Sequence, residues 1–118
     1  MDNVTQLLMR GAAGAVGKST FVDDVFSTYV YKATGSNGQQ ITNGIDLTKG
    51  GLVWFKGRSN AWNNTLIDTV RGGNKLIYGD VNNPEATFSD AITSFNSNGF
   101  TTGTNQFMNH NSSNTYAS

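Results

Sequence analysis

Short runs of β-branched and aromatic residues recur from Phe21 onward at spacings of roughly ten, each closed by glycine, asparagine or serine. That rhythm fits strands joined by polar turns. Val25 to Tyr31 sets Phe26, Thr28 and Val30 on one face against Val25, Ser27, Tyr29 and Tyr31 on the other. The cluster Gly35-Ser36-Asn37-Gly38 turns the chain into a second strand, Gln39 to Ile45. Leu52 to Lys56 is the strongest strand signal. Leu66 to Val70 and Lys75 to Tyr78 flank Arg71-Gly72-Gly73-Asn74 as a hairpin, and Ala91 to Phe95 and Gly99 to Thr102 flank Asn96-Ser97-Asn98 as another. Thr115 to Ala117 opens one more run. The pattern predicts an all-β domain over 21–118, an antiparallel β-sandwich or partial sandwich. Phe26, Val30, Leu52, Trp54, Leu66, Ile77, Ile92 and Phe95 are its expected core. The last run stops after three residues, so the sequence reads as the front part of a longer chain, with a sandwich incomplete at its C-terminus.

Composition agrees. Asn, Thr, Ser and Gly number 15, 14, 10 and 14 of 118 residues, and only 14% are charged, while 36% are hydrophobic. The chain is too apolar for plain disorder. Eight Lys+Arg balance eight Asp+Glu, which argues against a nucleic-acid binder with a broad basic face and against a polybasic membrane anchor. Absence of cysteine excludes disulfides, thiolate nucleophiles and Cys-ligated metal sites. The first residues lack the basic and long apolar regions of a signal peptide. Apolar runs such as Leu52 to Phe55 are too short to span a bilayer, so no membrane insertion and a soluble, cytosolically made chain are expected.

Residues 1–20 differ from the rest. Val4 to Arg10 reads as a short helix and Gly11 to Gly17 as a run of small residues, together an extended or partly helical N-terminal arm that orders only against a partner. Leu7, Leu8 and Met9 are its one apolar cluster and its expected docking residues. Ala12 to Ser19 fits the loose pattern of a phosphate-binding loop with Lys18. The context does not: no buried strand precedes it, no amphipathic helix follows, and no apolar strand ends in a magnesium-binding aspartate.

No reaction centre stands out. His110 is the single histidine, which rules out His-based triads and multi-His metal sites, and it reads as a solvated loop residue. The acidic residues show no spacing that singles out a catalytic pair. Asp80 to Glu85 gathers oxygen ligands around Pro84 without EF-hand spacing, and a proline turn is the plainer reading. No cofactor and no enzymatic activity are expected. Trp54 reads as core. Trp62, with Asn60 and Asn63 beside it, is the candidate platform for stacking a sugar, or else folds back onto the sheet.

Phe21-Val22-Asp23-Asp24-Val25-Phe26-Ser27-Thr28-Tyr29, Gly44-Ile45-Asp46-Leu47, Gly50 to Lys56, Asp68 to Gly72, Ser94 to Phe100 and Asn114 to Ser118 occur in that order. The set resembles a family of tailed-phage virion proteins, frequent in marine podoviruses, that carry a concanavalin-like (laminin-G-like), jelly-roll sandwich near the N-terminus. The resemblance implies a virion structural protein, the virion-proximal part of a tail fibre or related appendage. Its arm would contact tail or capsid proteins and its β domain would form a homo-oligomer. The alternative it leaves open is a lectin-like module for a host-surface glycan. It implies no catalytic residues.

Overall fold

The computed structural model describes residues 21–118. The expected arm, with Leu7, Leu8, Met9 and the Ala12–Ser19 motif, lies outside the described residues. The domain from Phe21 to Ser118 is nearly all β. Its strands are β1 (Val30–Lys32), β2 (Gln39–Thr42), β3 (Leu52–Gly57), β4 (Thr65–Asp68), β5 (Lys75–Tyr78), β6 (Ala86–Thr87), β7 (Ile92–Asn96), β8 (Gly99–Thr102) and β9 (Thr115–Ala117). They form two antiparallel sheets, one of six strands in the order β1-β9-β3-β4-β5-β6 and one of three in the order β2-β8-β7. Two antiparallel sheets are what the strand–turn rhythm predicted.

The sheets meet through aromatic and branched side chains. Phe55 of β3 and Phe100 of β8 are fully buried, and their rings meet edge to face with centroids 5.3 Å apart. Val53, Ile67 and Leu76 of the large sheet, and Ile41 and Ile92 of the small one, complete the layer between them. Ile92 is buried and Phe95 packs half-buried against this core, as expected.

The remaining expected core positions are on the opposite side. In β3 the buried residues are Val53, Phe55 and Gly57, and they alternate with the exposed Leu52, Trp54 and Lys56. Partners in register share a face. Leu66, opposite Trp54, and Ile77, opposite Leu66, therefore face outward and are only half-buried. Val30 belongs to the same side through Ala117 and Lys56. Five expected core residues thus share one error of phase, because a slip of one residue moves a strand's whole set to the other face. LVWF is apolar on both faces and gives no internal clue. Phe26 is also exposed, at 64%.

Val25 to Tyr31 is not a single strand. Val22–Val25 forms a one-turn helix, α1, with none of its residues buried. The Asp24 carboxylate accepts a hydrogen bond from the Phe21 N–H at 2.9 Å, which fixes the start of the turn. Only Val30–Lys32 then enters the ladder, beside β9. The short β6 carries no periodicity to read, yet it pairs with β5.

Asparagine shapes the connections. Asn109 is fully buried. Its Oδ1 accepts from the N–H groups of Thr34 and Gly35 at 3.0 and 2.9 Å. Its Nδ2 donates to the carbonyls of Ser36 and Gly103, each at 2.8 Å. One side chain thereby uses its whole hydrogen-bonding capacity to join the turn after β1 to the segment after β8. That segment, polar in sequence, buries Phe107 and Met108 as well.

Candidate functional site

The outward face of β3 floors a groove of about 1010 Å³. Asp24 to Thr28 forms one wall, and the connection from β2 to β3, Asn43 to Gly51, forms the other. Leu52 and Trp54 rise from the floor, 59% and 58% exposed, and Val25 and Phe26 stand beside them at 65% and 64%. The volume is at the upper end of what small-molecule clefts enclose, and the lining is mostly apolar.

The second wall is held by a local turn. Asp46 caps the 3-10 turn Leu47–Lys49, accepting hydrogen bonds from the Thr48 N–H at 3.1 Å and from the Thr48 hydroxyl. Those bonds, the hydroxyl's first, with Lys49 adding its charge at 3.6 Å, hold the Asp46 carboxyl below the usual carboxylate range. Leu47 itself is buried and ties the turn to the core. Lys49 and Lys56 stand at the rim, Lys49 with its side chain 82% exposed. The groove offers apolar area ringed by charges of both signs, a chemistry of binding.

Other sequence candidates are placed apart from it. Trp62 packs half-buried against the core, its ring edge-on to exposed His110 with centroids 4.8 Å apart. Asn60 turns inward: its Oδ1 accepts from the Trp62 N–H at 3.2 Å, and its Nδ2 is buried without a partner. Asn63 donates to Asp80 at 3.4 Å. Trp62 has therefore folded back towards the sheet, the second of the two arrangements expected for it. Glu85 is taken up by Arg71 at 2.7 Å and Lys75 at 3.9 Å. Among the described residues no three His, Asp or Glu side chains gather into a metal-sized cluster.

The residues that sequence reasoning missed at the surface are Trp54, Leu52, Val25 and Phe26. A signal was present: Lys56 shares the parity of Leu52 and Trp54, and a lysine is rarely buried unpaired.

Among the described residues no helix is long and apolar enough to cross a membrane. Comparison with curated proteins and with solved structures returned no match. Residues 22–118, all nine strands included, match the model of a family described as a domain of unknown function, DUF7483, and the chain belongs to that family.

Proposed function

We propose that this chain is a structural component of a tailed-phage virion, the N-terminal part of a tail fibre or related appendage. Residues 1–20 attach it to tail or capsid proteins, and the β domain associates with further copies of itself. The reading starts from the ordered motifs between Phe21 and Ser118. The observation that carries it in three dimensions is the apolar surface beside the point where residues 1–20 join. Phe21, Val22, Val25, Phe26, Val30, Leu52 and Trp54 are all 58% exposed or more. Such a concentration of large apolar side chains on a small domain supports a role in docking other proteins.

The test is a reconstruction of phage particles at side-chain resolution, with incorporation of a Leu8→Asp variant scored beside it. Density for this domain against a tail or capsid protein, and loss of incorporation for Leu8→Asp, is the expected result. Particles that lack the chain would overturn the reading, and unchanged incorporation would remove the role of the Leu7–Met9 cluster.

A saccharide-binding role draws on Trp62, Asn60 and Asn63. The geometry gives it less, because Trp62 lies against His110 and Asn60 bonds within its own loop.

A further inference from the structure

The outer face of a two-layer sandwich ordinarily meets water with polar side chains. Here β3 presents Leu52 and Trp54 outward, and Val30 of β1 shares that face. Beside them α1 holds Val22 and Val25 at 76% and 65% exposure, after Phe21 at 65%. A single helical turn has too few hydrogen bonds to persist by itself. Among the described residues nothing packs over α1, so its apolar side chains and the groove next to it both lack a cover there.

We propose that a second copy of this chain supplies it, in a two-fold contact where α1 of each copy enters the groove floored by Leu52 and Trp54 of the other. The inference rests on the oligomerising β domain of the functional reading and names the surface used. Three observations support it. Knob and groove adjoin on one surface, since Asp24 and Val25, the end of α1, and Phe26, its C-cap, also form a wall of the groove. That is the arrangement an isologous contact needs, because each copy must bring both halves. The charges match in the same sense. α1 carries Asp23 and Asp24, whereas Lys49 and Lys56 stand at the groove rim. Of the two acids that line the groove, Asp46 accepts from Thr48 and pairs with Lys49, and Asp24 accepts from the Phe21 N–H, so Asp23 and Lys56 are the charges left to meet across the contact. The chain's net charge is zero, so two copies approach without long-range repulsion. Sheet extension through β1 is hindered at the C-terminal end of its outer edge, where Gln39 donates to the Lys32 carbonyl at 2.8 Å and accepts from the Thr34 N–H at 3.0 Å. Contact through side chains avoids that end of the edge.

The experiment uses the full 118-residue chain in light scattering and sedimentation. Wild type is expected at twice the 12.7 kDa of one chain. Trp54→Lys and Val25→Lys should each weaken association by at least about 30-fold, the size of a hot-spot loss. Both positions are exposed, and near-UV circular dichroism confirms that the variants fold. Asp23→Lys alone and Lys49→Glu/Lys56→Glu alone should each run as monomers. Their mixture should form a heterodimer, because each knob then faces a groove of opposite sign. A dimer untouched by Trp54→Lys and Val25→Lys overturns the proposal while leaving an oligomeric domain. A wild-type monomer at high micromolar concentration overturns it as well. So does a monomer in which Leu8→Asp, in a Trp62→Phe background, opens Trp54 to quenching, since the groove then belongs to the chain's own arm. Incorporation into particles is scored separately and reports on the structural-protein reading whichever way the contact falls.

Discussion

Tyr31 of β1 and Tyr116 of β9 are direct register partners whose rings stack with centroids 5.6 Å apart and planes 24° from parallel. Both hydroxyls reach one loop, Tyr31 donating to the Met108 carbonyl and Tyr116 to the Gln106 carbonyl, each at 2.8 Å. The pair therefore fastens two strands of the large sheet to the segment after β8. Burial, and secondarily the neighbouring Tyr116, raises the Tyr31 phenol well above its ordinary value of 10.0. Burial raises Tyr116 too.

Alkali should act through this pair. A phenol whose pKa is higher folded than unfolded leaves stability untouched below the unfolded value, near pH 10. Above it the unfolded chain ionises first, and stability falls until the folded phenol ionises as well. Urea denaturation at pH 8, 10 and 11 should show this loss, and Tyr31→Phe should flatten it while costing about 1 kcal/mol at pH 8 for the missing hydrogen bond. An unchanged slope in the variant would refute the assignment.

Neighbouring residues of β3 should respond unequally to truncation. Phe55 is fully buried against Phe100, so Phe55→Ala should cost about 3–5 kcal/mol. Trp54→Ala, one residue earlier on the exposed face, should cost the isolated chain under about 1 kcal/mol. Equal losses in a thermal melt would mean the faces are misassigned.

Asn109→Ala removes four hydrogen bonds at once, those to the Thr34 and Gly35 N–H groups and to the Ser36 and Gly103 carbonyls; of the two N–H groups, that of Thr34 alone keeps a second acceptor, Gln39. The expected loss is about 2–4 kcal/mol, and amide exchange at Gly35 should speed up with it. A loss below about 1 kcal/mol would show that water takes over the site readily.

Two glycines separate steric from conformational cost. A Cβ at Gly73 would run into the carbonyl oxygen of Ile92, where the β4–β5 hairpin touches the start of β7 and the Ile92 N–H bonds to Gly73 at 3.0 Å. Gly73→Ala should cost on the order of 3 kcal/mol or prevent folding. Gly38 has a φ of +90° and open space around it, so Gly38→Ala should cost only about 1 kcal/mol. Chemical denaturation of the two variants side by side decides.

The strands were legible because their boundaries are chemical. Arg71 to Asn74 does link two paired strands, and Ser97-Asn98 does close the β7–β8 hairpin, as glycine and asparagine at those places foretold. Which face is inside hangs on one residue, Lys56, because Leu52 to Phe55 are apolar on both faces. Asn109 looked like one of many polar loop residues. Its burial depends on the carbonyls of Ser36 and Gly103, which only the fold brings together. The groove is illegible for the same reason: its walls, 24–28 and 43–51, are apart in sequence and are brought to either side of β3 only by the fold.

The place of β9 in the sheet has a consequence for how the domain comes into being. β9 lies between β1 and β3 and pairs with both, so these two early strands have no direct bond to each other. While the chain is still leaving the ribosome, β1 and β3 flank an empty slot that only residues 115–117 can fill. Hairpins such as β3–β4 and β7–β8 can close as they emerge. β3 to β6 can pair as they emerge, but β1 can join them only through β9, so closing the six-stranded layer is a non-local step of the kind that slows folding.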